Sequence, residues 1–120
     1  MGCTSSDTAD SIIRRHKDKI EEAKKNIKEL LENGKENCIS IIFKLMNGKT
    51  YSIICFNSTP LFHVFLLLVD KAKDSYYSNL DKLKIYYNTV DISQYFTQDN
   101  GKDVSSLNFP ISNPIIYINV

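Results

Sequence analysis

From residue 39 to residue 56, apolar and less apolar residues alternate on both sides of Asn47-Gly48, and this commits the middle of the chain to a β-hairpin. Ile39, Ile41 and Phe43 share one face of the first strand, while Ser40, Ile42 and Lys44 share the other. Asn-Gly supplies the left-handed backbone that a tight hairpin turn requires. The return strand, from about Lys49 to Phe56, puts Tyr51, Ile53 and Cys55 on one face. An isolated two-stranded hairpin is marginal in water, so other elements must cover its apolar side.

The next segment is suited to that task. Ser58-Thr59-Pro60 opens a helix, with Pro60 fitted to the first turn, where a missing N–H costs nothing. The helix carries the most apolar run of the chain, Leu61 to Val69, and is expected to end near Lys73 or Asp74. Spanning a bilayer takes about 20 apolar residues. This run is half that and holds His63, so it predicts a buried helix. Leu61, Val64, Phe65, Leu68 and Ala72 form a stripe toward the sheet, and Phe62, Leu66 and Val69 form a second stripe. Further strands are expected over about 82–87, 90–92 and 115–120, giving the order β-β-α-β-β-β and an α+β class.

Ahead of this domain, the segment from about Ser11 to Asn33 predicts an amphipathic helix. Asp7, Thr8, Asp10 or Ser11 is available as N-cap, and Asn33-Gly34 as the stop. Its apolar positions are Ile13, Ile20 and Ile27, then Ala23, Leu30 and Leu31, with His16 on the same stripe. The expected use is to lay Ile20, Ile27 and Leu31 over the second stripe of the central helix. Pairing with a second copy, or lying on a bilayer, are the other two uses of the same face. From Arg14 to Lys28 there are seven Lys or Arg against Asp18, Glu21 and Glu22, an excess that favours an anionic membrane surface.

The opening, Met1-Gly2-Cys3-Thr4-Ser5-Ser6, fits N-myristoylation, which needs Gly at position two and prefers a small hydroxyl residue at position six. One myristoyl chain gives only marginal attachment, so palmitate on Cys3 is the expected second signal. Gly2 and Cys3 are therefore the candidate lipidation residues, and the expected location is the cytoplasmic face of a plasma or internal membrane. The opening resembles the start of inhibitory heterotrimeric G-protein α subunits. No GxxxxGK[ST] loop follows, so no nucleotide site is expected.

From Cys38 onward the sequence resembles ubiquitin. The segment ISIIFKLMNGKTYSIIC (39–55) is similar to its first hairpin. Leu83-Lys84-Ile85-Tyr86-Tyr87, followed by Val90-Asp91-Ile92, is similar to its third strand and the short strand after it. Gly101 to Phe109 follows its late loop and helical turn, and Pro114 to Val120 its closing strand. The resemblance implies a ubiquitin-like β-grasp over residues 38–120, preceded by the long amphipathic helix over 11–34 and an acylated anchor segment over 1–10.

Two departures direct what the resemblance implies. The chain reads to Val120 without the flexible tail and di-glycine that activating enzymes use, and Val90 occupies the place of the main linkage lysine. The expectation is a domain that is not conjugated and acts as a docking surface. Ubiquitin's recognition face falls here on Met46, Tyr86 and Tyr117, with Ile115 and Lys84 beside them. Tyr and Met suit a partly wet protein interface.

Composition closes off other classes. The net charge of +1 spread over 120 residues gives no basis for nucleic-acid binding. Cys3, Cys38 and Cys55 lack metal-ligand spacing, and an odd count argues against a disulfide framework. His16 and His63 have no Cys, Asp or Glu at motif spacing, and the Asp residues at 70, 74, 81, 91, 99 and 103 are scattered through turns. No enzyme activity, cofactor or metal is expected. The sequence points to a membrane-anchored, non-conjugatable ubiquitin-like adaptor for a cytosolic protein partner, with ubiquitin-pathway proteins one candidate class. The alternatives are a self-associating membrane scaffold, dimeric through the N-terminal helix, and a β-grasp module that pairs its second strand with a small GTPase.

Overall fold

A computed structural model describes residues 9–34, 37–46, 48–72, 83–97 and 100–119. The hairpin forms as its alternation requires. Strands β1 (Ile39–Leu45) and β2 (Thr50–Cys55) pair antiparallel with Phe43 opposite Tyr51 and Ile41 opposite Ile53. Ile39, Ile41, Phe43 and Leu45 are buried, while Lys44 is exposed. At the turn, Gly48 adopts φ 89 and donates its N–H to the Leu45 carbonyl at 3.0 Å. An L side chain rarely adopts that φ, which is what the glycine is for. Asn47 lies outside the described residues.

The remaining strands are β3 (Lys84–Tyr87), β4 (Val90–Asp91) and β5 (Ile115–Asn119). They complete a five-stranded mixed sheet in the order β2-β1-β5-β3-β4, with β1 and β5 parallel at its centre. The expected third strand began near residue 82, and residues 73–82, Asp74 and Asp81 among them, lie outside the described residues, as do Asp99 and Val120. Beyond β4, Ser93 ties the edge together. Its hydroxyl accepts from the Ile85 N–H at 2.8 Å and donates to Asp91 Oδ1 at 2.6 Å. The Ser93 side chain and N–H hold the Asp91 carboxyl below its ordinary pKa.

One face of the sheet packs on α3 (Leu61–Lys71). Leu61, Val64, Leu68 and Ala72 of the first stripe are buried, and Phe65 is only half-buried, stacked on Phe62 at 6.4 Å. Pro60 stands just before the helix, in extended backbone (ψ 138), instead of inside its first turn.

The N-terminal helix, expected as one run from 11 to 33, is described as two: α1 (Ala9–Arg15) and α2 (Lys17–Asn33). The break falls at His16, whose backbone (φ −116, ψ 29) leaves the helical region, although its N–H reaches the Ile12 carbonyl and its carbonyl accepts from Ile20 N–H, each at 3.0 Å. No glycine or proline causes it. It coincides with the His16 ring standing edge-on to Phe62 of α3, centroids 5.2 Å apart. Gly34, at φ 65, ends α2 as expected.

Both helices pack on α3. Ile20 and Ile27 are buried as expected, and so are the Leu66 and Val69 side chains of the second stripe. Leu31 is not; it is 49% exposed, while Ala23 of the same helix is buried at 1%. A Lys24–Asp70 ion pair at 3.1 Å joins the two helices. Its exposure makes it a minor contributor beside the buried stripe.

His63 lies on α3 at 9% exposure, under this second layer. Burial lowers its pKa, nearby Glu22 opposes that and Lys19 adds to it. A group whose folded pKa is depressed resists protonation in the native state while the unfolded chain takes up the proton. Stability is therefore level above about 6.5, the unfolded value, and falls as the pH drops through it toward the folded value. Thermal midpoints measured between pH 7.5 and 5 should decline for the parent and decline less for His63→Gln.

Candidate protein-binding face

Among the described residues, no helix packs on the other face of the sheet. Strand alternation turns Ser40, Ile42 and Lys44 of β1 toward it, with Thr50, Ser52 and Ile54 of β2, Ile115, Tyr117 and Asn119 of β5, and Lys84 and Tyr86 of β3. Register then decides which of these meet. Lys44 pairs with Thr50 on one side and Tyr117 on the other, Tyr117 with Tyr86, and Tyr86 with Asp91. A straight row therefore crosses all five strands: Thr50, Lys44, Tyr117, Tyr86, Asp91. Directly opposed side chains in antiparallel strands have Cβ atoms about 5 Å apart, so the two tyrosines are neighbours at its centre.

A second row lies beside the first. Ser52, Ile42 and Ile115 are partners across β2, β1 and β5, and Lys84 opposes Asn119 on the opposite flank. Of the residues expected at this face, Lys84, Tyr86, Ile115 and Tyr117 thus share one contiguous patch. Met46 follows the end of β1 at 70% exposure, at the turn rather than within the rows. Tyr117 is 52% exposed, Ile115 38%, and Tyr86 half-buried.

Around Ile115 the face is concave. Tyr86, Tyr117, Ile115 and Pro114 line a shallow depression together with Ile111 and the β3–β4 turn. That turn places Asn88 and Thr89 at φ 51 and 66. Two successive positive φ values give the hairpin twist that matches neighbouring strands. A β-branched residue held there, as Thr89 is, costs on the order of 1–3 kcal/mol. On the opposite face, Tyr87 meets Phe109 edge-on at 4.9 Å and pins the strand that carries Tyr86.

The exposed Ile54 and Ile111 extend the apolar area beyond the residues read from sequence. Ile54 was legible in the alternation of β2, because its neighbours Ile53 and Cys55 point inward. Ile111 sits in an irregular loop and had no periodic signal.

The other candidates fall elsewhere. Gly2 and Cys3 lie outside the described residues. Cys38 is exposed and Cys55 buried, and burial first, then Cys38, pushes the Cys55 thiol up to about 12, leaving it protonated and unreactive. Among the described residues no three or more His, Cys, Asp or Glu side chains are grouped to hold a metal ion, and no helix is long and apolar enough to cross a membrane. The sequence matches no protein-family model and no curated protein, so the case for a role rests on this face.

Proposed function

We propose that the chain is a ubiquitin-like β-grasp adaptor, held at the cytoplasmic face of a membrane by myristate on Gly2 and palmitate on Cys3, that presents its open sheet face to a protein partner. The strand order and the helix packed across the sheet are compatible with a β-grasp. The observation that carries the binding role is the Tyr117–Tyr86 pair at the centre of a sheet face that no described helix covers, flanked by Ile115, Lys84 and Lys44. Tyrosine offers a broad apolar body with a polar tip at low entropic cost, and aromatic anchors ringed by polar groups are the usual composition of a binding centre.

The anchor rests on the Met-Gly-Cys opening and its hydroxyl residue at position six. Exposed Arg14, Lys17, Lys24, Lys25 and Lys28 on α1 and α2 add attraction to anionic lipid, about 1 kcal/mol for each basic residue near the surface. In fractionated cells the parent should sediment with membranes and Gly2→Ala should appear in the soluble fraction. Cys3→Ser should give intermediate, salt-sensitive attachment, since one acyl chain binds only reversibly. If Gly2→Ala stays with the membranes, the anchoring mechanism is wrong.

A further inference from the structure

Strand β2 is an edge of the sheet, and a groove of about 580 Å³ runs beside it under α2. The Leu45 N–H bonds the Lys49 carbonyl at 2.9 Å, which fixes which residues of β2 face β1. Tyr51, Ile53 and Cys55 do. The backbone groups of Thr50, Ser52 and Ile54 point away from the sheet. One of them is occupied: Lys71 of α3 donates its Nζ–H to the Ser52 carbonyl at 2.7 Å.

The groove walls are apolar inside and basic at the rim. Leu31, Ile54 and Leu67 line it, and Leu31 and Ile54 are each about half exposed. Lys24, Lys28 and Lys71 edge it, with Asp70 as the acid already paired to Lys24.

We infer that this groove is a second binding site, which takes an extended, acidic peptide segment of a protein partner as an added strand against β2. The backbone of the segment bonds the outward groups of Thr50, Ser52 and Ile54, its apolar side chains enter between Leu31 and Leu67, and its carboxylates meet Lys28 and Lys71. Lysine on an edge strand ordinarily deters pairing with other chains. Here Lys71 must leave the Ser52 carbonyl for a strand to dock, and a carboxylate on the incoming segment gives its charge a new partner. A neutral segment offers no such exchange, and a second copy of this chain would bring its own lysines against these. The site shares neither Tyr86 nor Tyr117; it meets the open face only along β2, where Ser52 and Ile54 border both.

The probe is a fluorescein-labelled synthetic peptide with a Val-Ile-Val-Ile core flanked by Asp and Glu, titrated into the full, unacylated chain and followed by anisotropy. Saturable binding is expected, at least about tenfold weaker for the Asn/Gln-flanked analogue, as expected for losing one or two charge-assisted contacts. Lys28→Glu with Lys71→Glu should abolish it, Leu31→Asp should weaken it, and Tyr117→Ala should leave it unchanged. All four side chains are exposed, and circular dichroism verifies that each variant is folded. Hydrogen exchange should slow at the amides of Thr50, Ser52 and Ile54 in the complex. No saturable binding of the acidic peptide, equal binding of the neutral one, or protection confined to β3 and β5 would overturn the inference.

Discussion

Replacing Tyr86 and Tyr117 together by alanine is expected to weaken partner binding by about a hundredfold or more while the domain stays folded. The two side chains are direct cross-strand partners at the centre of the open face. Truncating a central aromatic anchor costs about 2 kcal/mol or more in binding, and two that share one partner surface act together. The fold loses far less. Tyr117 is 52% exposed and Tyr86 half-buried, on the face away from α3. A cross-strand aromatic pair contributes about 1 kcal/mol to sheet stability, so urea midpoints of parent and variant should differ only slightly. Conservative Tyr→Phe changes at both positions should retain most of the binding, because the apolar body remains. A double variant that unfolds would mean that the face is structural instead.

The second large effect is expected at the other end of the molecule. Ile20→Ala should destabilise the whole domain by about 3 kcal/mol, the usual range for removing a buried isoleucine being 2–5. Ile20 is 3% exposed, in α2, and its helix packs on α3 along with α1. With this layer loosened, Leu66 and Val69, now at 0 and 1% exposure, face water. The measurement is equilibrium unfolding in urea, with hydrogen exchange on α3 as the local report. The expected result separates uses of the N-terminal helix. An arm reserved for a bilayer or a second copy would tolerate Ile20→Ala in the monomer without loss of stability. Packed on α3, the same stripe reaches a second copy or a bilayer only if it first undocks. Leu31, exposed on the same helix, supplies the contrast, because Leu31→Ala should cost under about 1 kcal/mol.

Much of this architecture was legible because two periods are hard to mistake. Alternation through β1 and β2 predicted which side chains are buried, and the burial of Ile41, Phe43, Ile53 and Cys55 follows it. The apolar stripes of α3 predicted both a sheet and a second covering layer. The break at His16 was not legible, since the ring at that position packs on Phe62 from a distant helix and leaves no local residue signal. Nor was the exposure of Leu31. Its place on the stripe fits a straight helix against a full-length partner, but α3 is only eleven residues long and α2 extends beside the β2 edge instead. At the candidate face, alternation alone turned Tyr86 and Tyr117 outward. Their pairing depends on β5 lying between β1 and β3, which is a property of the whole topology. The groove beside β2 was invisible for the same reason, as it is assembled from α2, α3 and a strand edge.

The central claim is that the open sheet face captures a protein at a membrane. The most direct measurement is affinity capture of the acylated protein from detergent-solubilised membranes, comparing the parent with the Tyr86→Ala, Tyr117→Ala double variant at equal membrane levels. The account predicts one or a few proteins retained by the parent and lost from the variant, with both forms anchored alike. The same proteins retained in equal amounts by both forms would contradict it.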